Sequence, residues 1–284
     1  MHDIFYFTDI HGMYDLYRAI IDWCDEQDPE ATIIFGGDAC DRGPDGYKIM
    51  KELLENPQVC YLKGNHEDMF VKAARFILNN YKGIIEEKAI KEYLYALLLE
   101  DYCPTQIANC VYNGGLSTLV NWMLDGMSNN FVTKINKLPL TFSYENLDFC
   151  HAGSQYKIFK RVANDEYENE IPDLDDETSL LWDRNCIGLG WAPNRICIYG
   201  HTPVYHLPAK YYCTDKSYAN AHPCKYVGHL DDRLTGAKIA MDVGTANSNK
   251  LYVLNCLTMN VQGFKYINKE NEEYEIKKIE CIQM

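Results

Sequence analysis

The sequence has no uninterrupted apolar stretch long enough to span a bilayer, so no membrane-crossing helix is expected. Basic residues are comparatively few. There are 27 Lys and Arg against 41 Asp and Glu, for a formal net charge of -14. That balance argues against charge-driven binding to nucleic acid or to an anionic membrane surface, and neither is expected as a partner. It leaves room for an anionic substrate, because metal ions and a few arginines make a small cleft positive on an acidic body. Cys-x-x-Cys is absent, although the chain has 12 cysteines. Several sit in apolar runs, as in Leu147–Cys150 and Ile196–Ile198, where a thiol packs as a small hydrophobe. The spacing of Cys213, His222 and Cys224 fits no closed four-ligand zinc pattern. A chain of 284 residues needs no disulfide staples, so a reducing, cytoplasmic setting is the simpler expectation. No basic leader precedes the first apolar segment, and repeats and low-complexity linkers are absent.

What is present is an alternation of strand and helix patterns. Ile4–Phe7, Thr32–Phe35 and Val59–Leu62 are short apolar runs that read as buried strands. Between them, Leu16, Ile20, Ile21 and Trp23–Cys24 recur at helical spacing, and residues from about Gly46 to Glu55 suit a second helix. This order predicts a parallel sheet with right-handed crossovers. From Asp68 to about Leu138 the pattern is helical, broken at Gly83, Pro104, Gly114-Gly115 and Gly126. Strands then return. Leu140–Tyr144 and Leu147–Cys150 form a hairpin pattern turning at Glu145-Asn146. Arg195–Tyr199, Lys238–Met241, Leu251–Asn255, Val261–Tyr266 and Glu273–Ile279 are further candidates, and the acidic stretch Asp165–Glu177 reads as an exposed loop.

Polar residues cluster directly after the predicted strands, where ligands sit in α/β folds. Thr8-Asp9-Ile10-His11-Gly12 follows the first, Gly37-Asp38-Ala39-Cys40-Asp41-Arg42-Gly43 the second, and Gly64-Asn65-His66-Glu67 the third. Later strands deliver His151-Ala152-Gly153, Gly200-His201-Thr202 and Asp242-Val243-Gly244. Aspartates and histidines from separate strand ends offer oxygen and nitrogen ligands for two divalent metals.

The ordered set resembles the phosphoprotein phosphatase family of the calcineurin-like metallophosphoesterases, in its bacterial and phage serine/threonine branch. The resemblance runs from roughly Ile4 to Gly244 and leaves the helical insert and the C-terminal strands uncovered. It implies an α/β fold of two packed mixed β-sheets flanked by helices, in a single domain over 1–284 with a helical insert at about 68–138. It implies that Asp9, His11 and Asp38 hold one metal, and that Asp38, Asn65, His151 and His201 hold the second. Manganese suits that mixed shell, as do iron and zinc. A hydroxide bridging the two metals would attack phosphorus directly, with His66 as general acid and Asp41 orienting it. Arg42 and Arg184, with Asn65, would bind the phosphoryl group. Arg184 lies in Leu181-Trp182-Asp183-Arg184, a shorter match to the family pattern.

Two details bear on the substrate. Nucleases and phosphodiesterases of the wider superfamily often carry a histidine two residues after the one in Gly-His; Pro203 stands there in this chain. Symmetrical diadenosine tetraphosphate hydrolases also resemble this chain, but they commonly lack the aspartate before Arg-Gly, which is present as Asp41. An alkoxide leaving group needs an acid more than a nucleotide phosphate does. The expectation is therefore a serine/threonine-type protein phosphatase acting on a phosphorylated protein or small phosphoester. Dinucleotide polyphosphate hydrolysis is the alternative.

Overall fold

Both faces of β1 (Ile4–Phe7) are buried, which places it inside a layered structure. Successive strand residues point to opposite faces. Phe5 and Phe7 join a core shared with the helices, while Ile4 and Tyr6 join a second core facing another sheet. The structure is a computed structural model, and it describes residues 2–99, 103–163, 176–208, 210–211, 220–228, 235–268 and 274–284.

After β1 come α1 (Tyr14–Gln27), β2 (Thr32–Phe35), α2 (Gly46–Glu55) and β3 (Val59–Tyr61). β1, β2 and β3 pair in parallel, in register Ile4 with Thr32 and Ile33 with Val59. The helical stretch comprises α3 (Asn65–Asn80), α4 (Glu87–Leu99), α5 (Thr105–Tyr112), α6 (Leu116–Leu124) and α7 (Asn129–Asn136). Leu94, Ile107, Trp122 and Ile135 of these helices are fully buried in the core they share with Phe5, Phe7 and Phe35. Such burial stabilises each large side chain by about 1.5–3 kcal/mol.

The hairpin appears as β4 (Thr141–Tyr144) and β5 (Leu147–Cys150), followed by α8 (Tyr156–Ala163), α9 (Asp176–Trp182) and β6 (Ile196–Tyr199). Then come β7 (Cys224–Val227), β8 (Ala237–Ala240), α10 (Thr245–Ser248), β9 (Lys250–Asn255), β10 (Asn260–Asn268) and β11 (Tyr274–Gln283). One mixed sheet has the order β11-β10-β9-β1-β2-β3 and the other β4-β5-β6-β8-β7. The sheets meet through side chains such as Tyr6 and Phe149, whose rings stack 5.5 Å apart. This is the two-sheet, helix-flanked architecture expected from the sequence.

Two readings need amendment. β7 was not anticipated: it is four residues long, lies at a sheet edge, and alternates buried and exposed between Pro223 and Gly228. Most of the Asp165–Glu177 stretch lies outside the described residues, but its end forms the start of α9. Cys213, one member of the weak zinc pattern, also lies outside them, and Cys224 belongs to β7.

Candidate metal centre

In both sheets the parallel strands end on the same side. β1, β2 and β3 deliver Asp9, Asp38 and Asn65 just past their C-terminal ends, and β5, β6 and β8 deliver His151, His201 and Asp242. The turns after these strands are sharp. Among the described residues, eleven non-glycine residues have left-handed backbone, and Asp9, His11, Asp38, Asp41, Arg42 and His201 are six of them. Each such residue costs roughly 1–2 kcal/mol. Strain of this kind concentrates where side chains are held for function.

Asp38 stands between two sets of imidazoles. Its Oδ1 lies 3.3 Å from His151 Nε2, while its Oδ2 lies 3.8 Å from His11 Nε2 and 3.9 Å from His66 Nε2. Two groups of donor atoms therefore share this one carboxylate: His11, Asp38 and His66 in one, and Asp38, His151 and His201 in the other, all buried. Asn65 Oδ1 lies 2.9 Å from His151 Nε2 and 3.0 Å from His201 Nδ1, so it joins the second group. The far sides of two rings are anchored by backbone. His151 Nδ1 meets Gly36 O at 2.8 Å, and His11 Nδ1 meets Cys40 O at 3.0 Å. Such anchors set the tautomer and leave the other nitrogen free to ligate.

Asp9 belongs to neither group by this geometry. Both of its oxygens accept the His201 N–H at 3.1 Å, and Oδ2 accepts the Thr8 hydroxyl at 2.6 Å. His66 takes part in the first group, yet its nitrogens have other partners. Nδ1 is 2.8 Å from Asp41 Oδ2, and Nε2 is 3.3 Å from the Arg42 guanidinium. A guanidinium at that nitrogen opposes a second cation there, which sets His66 apart from the other donors of its group.

The electrostatics match a site built for cations. Burial pushes the Asp9 carboxyl well above its ordinary value, and the charge on Asp242 adds to the rise. Asp242 itself is raised to about 6 by burial. Burial works against charge on His151, but the Asp38 carboxylate outweighs it and lifts the imidazole to about 10. Burial, reinforced by His151, lowers His201 to about 3. Carboxylates and imidazoles buried this closely are costly without a compensating charge. A shell of nitrogen and oxygen without thiolate fits a borderline divalent cation. The residues present fit such a group.

Arg42 and Arg184 are both exposed beside these buried groups. Arg42 lies against His66, and Arg184 Nε lies 3.4 Å from His201 Nε2. The structure thus gathers all ten residues singled out in the sequence.

It also adds two that were given no role. Glu67 is fully buried and accepts the backbone N–H groups of Asp38, Ala39 and Gly64, each at 2.8 Å, together with the Tyr61 hydroxyl. Asp242, which opens the last of the strand-end motifs and was assigned no ligand or catalytic part there, is buried close enough to Asp9 to shift its carboxyl. An acidic residue directly after an apolar strand, followed by glycine, was the available signal for it.

The chain belongs to the calcineurin-like phosphoesterase family, whose sequence profile matches residues 2–230. It is thus an enzyme of a metal-dependent family, and its buried His/Asp groups supply ligands that a metal can use. No curated protein sequence matches the chain. Solved structures similar to it include a candidate diadenosine tetraphosphatase, 14% identical, with 98% of this chain and 93% of that one covered at a TM-score of 0.49. A cold-active protein tyrosine phosphatase is 14% identical, with 97% and 78% covered and a TM-score of 0.43. A protein serine/threonine phosphatase of Saccharomyces cerevisiae is 13% identical, with 100% and 81% covered and a TM-score of 0.45. Likeness at this level carries no argument about substrate. No helix among the described residues is long and apolar enough to cross a membrane.

Proposed function

We propose that this chain is a metal-dependent phosphomonoesterase of the serine/threonine protein phosphatase type. The observation that supports it is the division of Asp38. One oxygen faces His151 and the other faces His11, with the Asp41–His66 pair beside them. A carboxylate can serve two cations at once because it has two oxygens to share. Asp9, His11 and Asp38 would hold one divalent cation, and Asp38, Asn65, His151 and His201 the other; manganese, iron and zinc all suit the shell. When bound, such cations supply an activated water for attack on phosphorus.

The chain's own side chains do the rest. Arg42 and Arg184 grip the phosphoryl oxygens, since a guanidinium fork matches that geometry. Asn65 orients the same group. His66 gives its Nε2 proton to the leaving oxygen, and Asp41 holds the Nδ1 proton and balances the imidazolium charge. The presence of this acid favours monoesters, whose alkoxides leave poorly, over dinucleotide polyphosphates. Protein treated with a chelator should lose hydrolysis of a phosphoserine peptide and regain it with manganese. Faster turnover of diadenosine tetraphosphate than of the peptide would transfer the assignment to dinucleotide hydrolysis. Full metal-dependent turnover by a His201→Ala protein would overturn the ligand assignment.

A further inference from the structure

The turn that carries Asp41 and Arg42 is held from outside its own strand. Each residue from Asp41 to Pro44 has a backbone hydrogen bond to the stretch 114–121 of the helical insert. The Asp41 N–H donates to Thr118 Oγ1 at 3.1 Å, and the Arg42 N–H to Gly114 O at 3.0 Å. In return, Ser117 Oγ donates to Gly43 O and Asn121 Nδ2 donates to Pro44 O, each at 3.0 Å. Asp41 and Arg42 are consecutive left-handed residues, a conformation that does not hold itself.

The approach is too close for ordinary side chains. Gly114 has φ +96°, and a Cβ on it would lie 2.8 Å from the Arg42 nitrogen. A Cβ on Gly115 would lie 2.4 Å from Cys110 Sγ and 3.0 Å from Asp41 Oδ1. That Oδ1 is buried and has no hydrogen-bond partner, so Asp41 is aimed by its backbone and by His66 alone.

We propose that the 114–121 stretch is the positioning element of the proton donor: Thr118 and Gly114 set the angle at which Asp41 meets His66. The proposal rests on the reading of His66 as the acid. Thr118 is fully buried and its hydroxyl oxygen accepts the Asp41 N–H, so it acts through Asp41. Removing its hydroxyl leaves the Asp41 N–H without an acceptor and frees the turn to shift. Misplacement of a reacting group by about 1 Å costs on the order of 100-fold in rate.

The test compares wild type with Thr118→Val and Thr118→Ser on an alkyl phosphate and on 4-nitrophenyl phosphate, with manganese bound. Thr118→Val should lower kcat on the alkyl ester by about 10- to 100-fold, with KM and aryl turnover nearly unchanged. Thr118→Ser should restore it. Equal loss on both esters from a protein of native stability would overturn the proposal. A second readout does not need turnover. The Nδ1 proton shared by His66 and Asp41 should give a low-field proton resonance in zinc-loaded wild type that shifts or vanishes in Thr118→Val. An unmoved resonance would equally overturn the proposal. Should Thr118→Val fail to fold, Ser117→Ala carries the same comparisons on the same turn, with the same deciding outcomes. Wild type inactive on both esters would end the functional reading and leave the resonance to decide the positioning role.

Discussion

The carboxylate of Glu67 accepts the backbone N–H of Asp38 at 2.8 Å. The residue shared by both donor groups is therefore held in its left-handed turn by the first turn of α3, the helix that also presents Asn65 and His66. Glu67→Gln would place an amide NH2 where one carboxylate oxygen now accepts two donors, either the N–H groups of Asp38 and Gly64 or the Ala39 N–H and the Tyr61 hydroxyl. Each unpaired buried donor costs about 1–3 kcal/mol. The variant should lose about 2–4 kcal/mol of stability, read from the shift of its urea midpoint. A loss under about 1 kcal/mol would remove Glu67 as the brace of Asp38.

The hydrogen bond between His66 and Asp41 leads to a second prediction. Asp41→Asn keeps the shape but not the charge that supports the imidazolium. Turnover of an alkyl phosphate should fall by about 100-fold and that of an aryl phosphate far less, since a phenolate leaves without a proton. Steady-state kinetics on the two esters decides the matter.

Arg42 stands at His66 and Arg184 at His201, and on the proposed function both should act on binding. Replacing either with alanine should raise KM for a phosphoserine peptide about 10-fold or more, the equivalent of one charged hydrogen bond. Lysine should restore little, because an ammonium cannot reproduce the planar fork. Full recovery with lysine at position 184 would mean that only its charge matters.

Far from the site, Asp28 ties the entry of β1 to the loop before β2. Its carboxylate accepts the N–H of Asp3 at 2.8 Å and that of Glu30 at 3.0 Å. Those bonds, with His2 beside them, hold its carboxyl below the ordinary value. A depressed folded-state pKa stabilises the protein above the unfolded value, and the benefit disappears as pH falls through the folded one. The stability advantage of wild type over Asp28→Ala should be full above about pH 4–5 and shrink below it. Thermal midpoints of the two proteins across that range provide the check, and a constant difference would refute it.

Much of this was legible in the chain because the relevant physics is local. Apolar runs such as Ile4–Phe7 and Thr32–Phe35 marked strands buried on both faces, and the structure keeps those bounds unchanged. The Glu145-Asn146 turn and its two strands were readable from turn chemistry and alternation. Edge strand β7 was not, since four residues between a proline and a glycine carry too short a pattern. Glu67 stood in a quoted motif without a role, because a carboxylate that ligates and one that braces a backbone look alike in sequence.

By itself the sequence determined which chemical groups follow which strands, for hydrophobic period and glycine placement are properties of neighbouring residues. Only the tertiary structure decided that β9 lies antiparallel beside β1, and that Asp41 rests on Thr118, 77 positions away. It also decided that Asp9 turns toward the His201 backbone. These are contacts between distant segments, chosen by how whole sheets and helices exclude water together, and no local pattern encodes them.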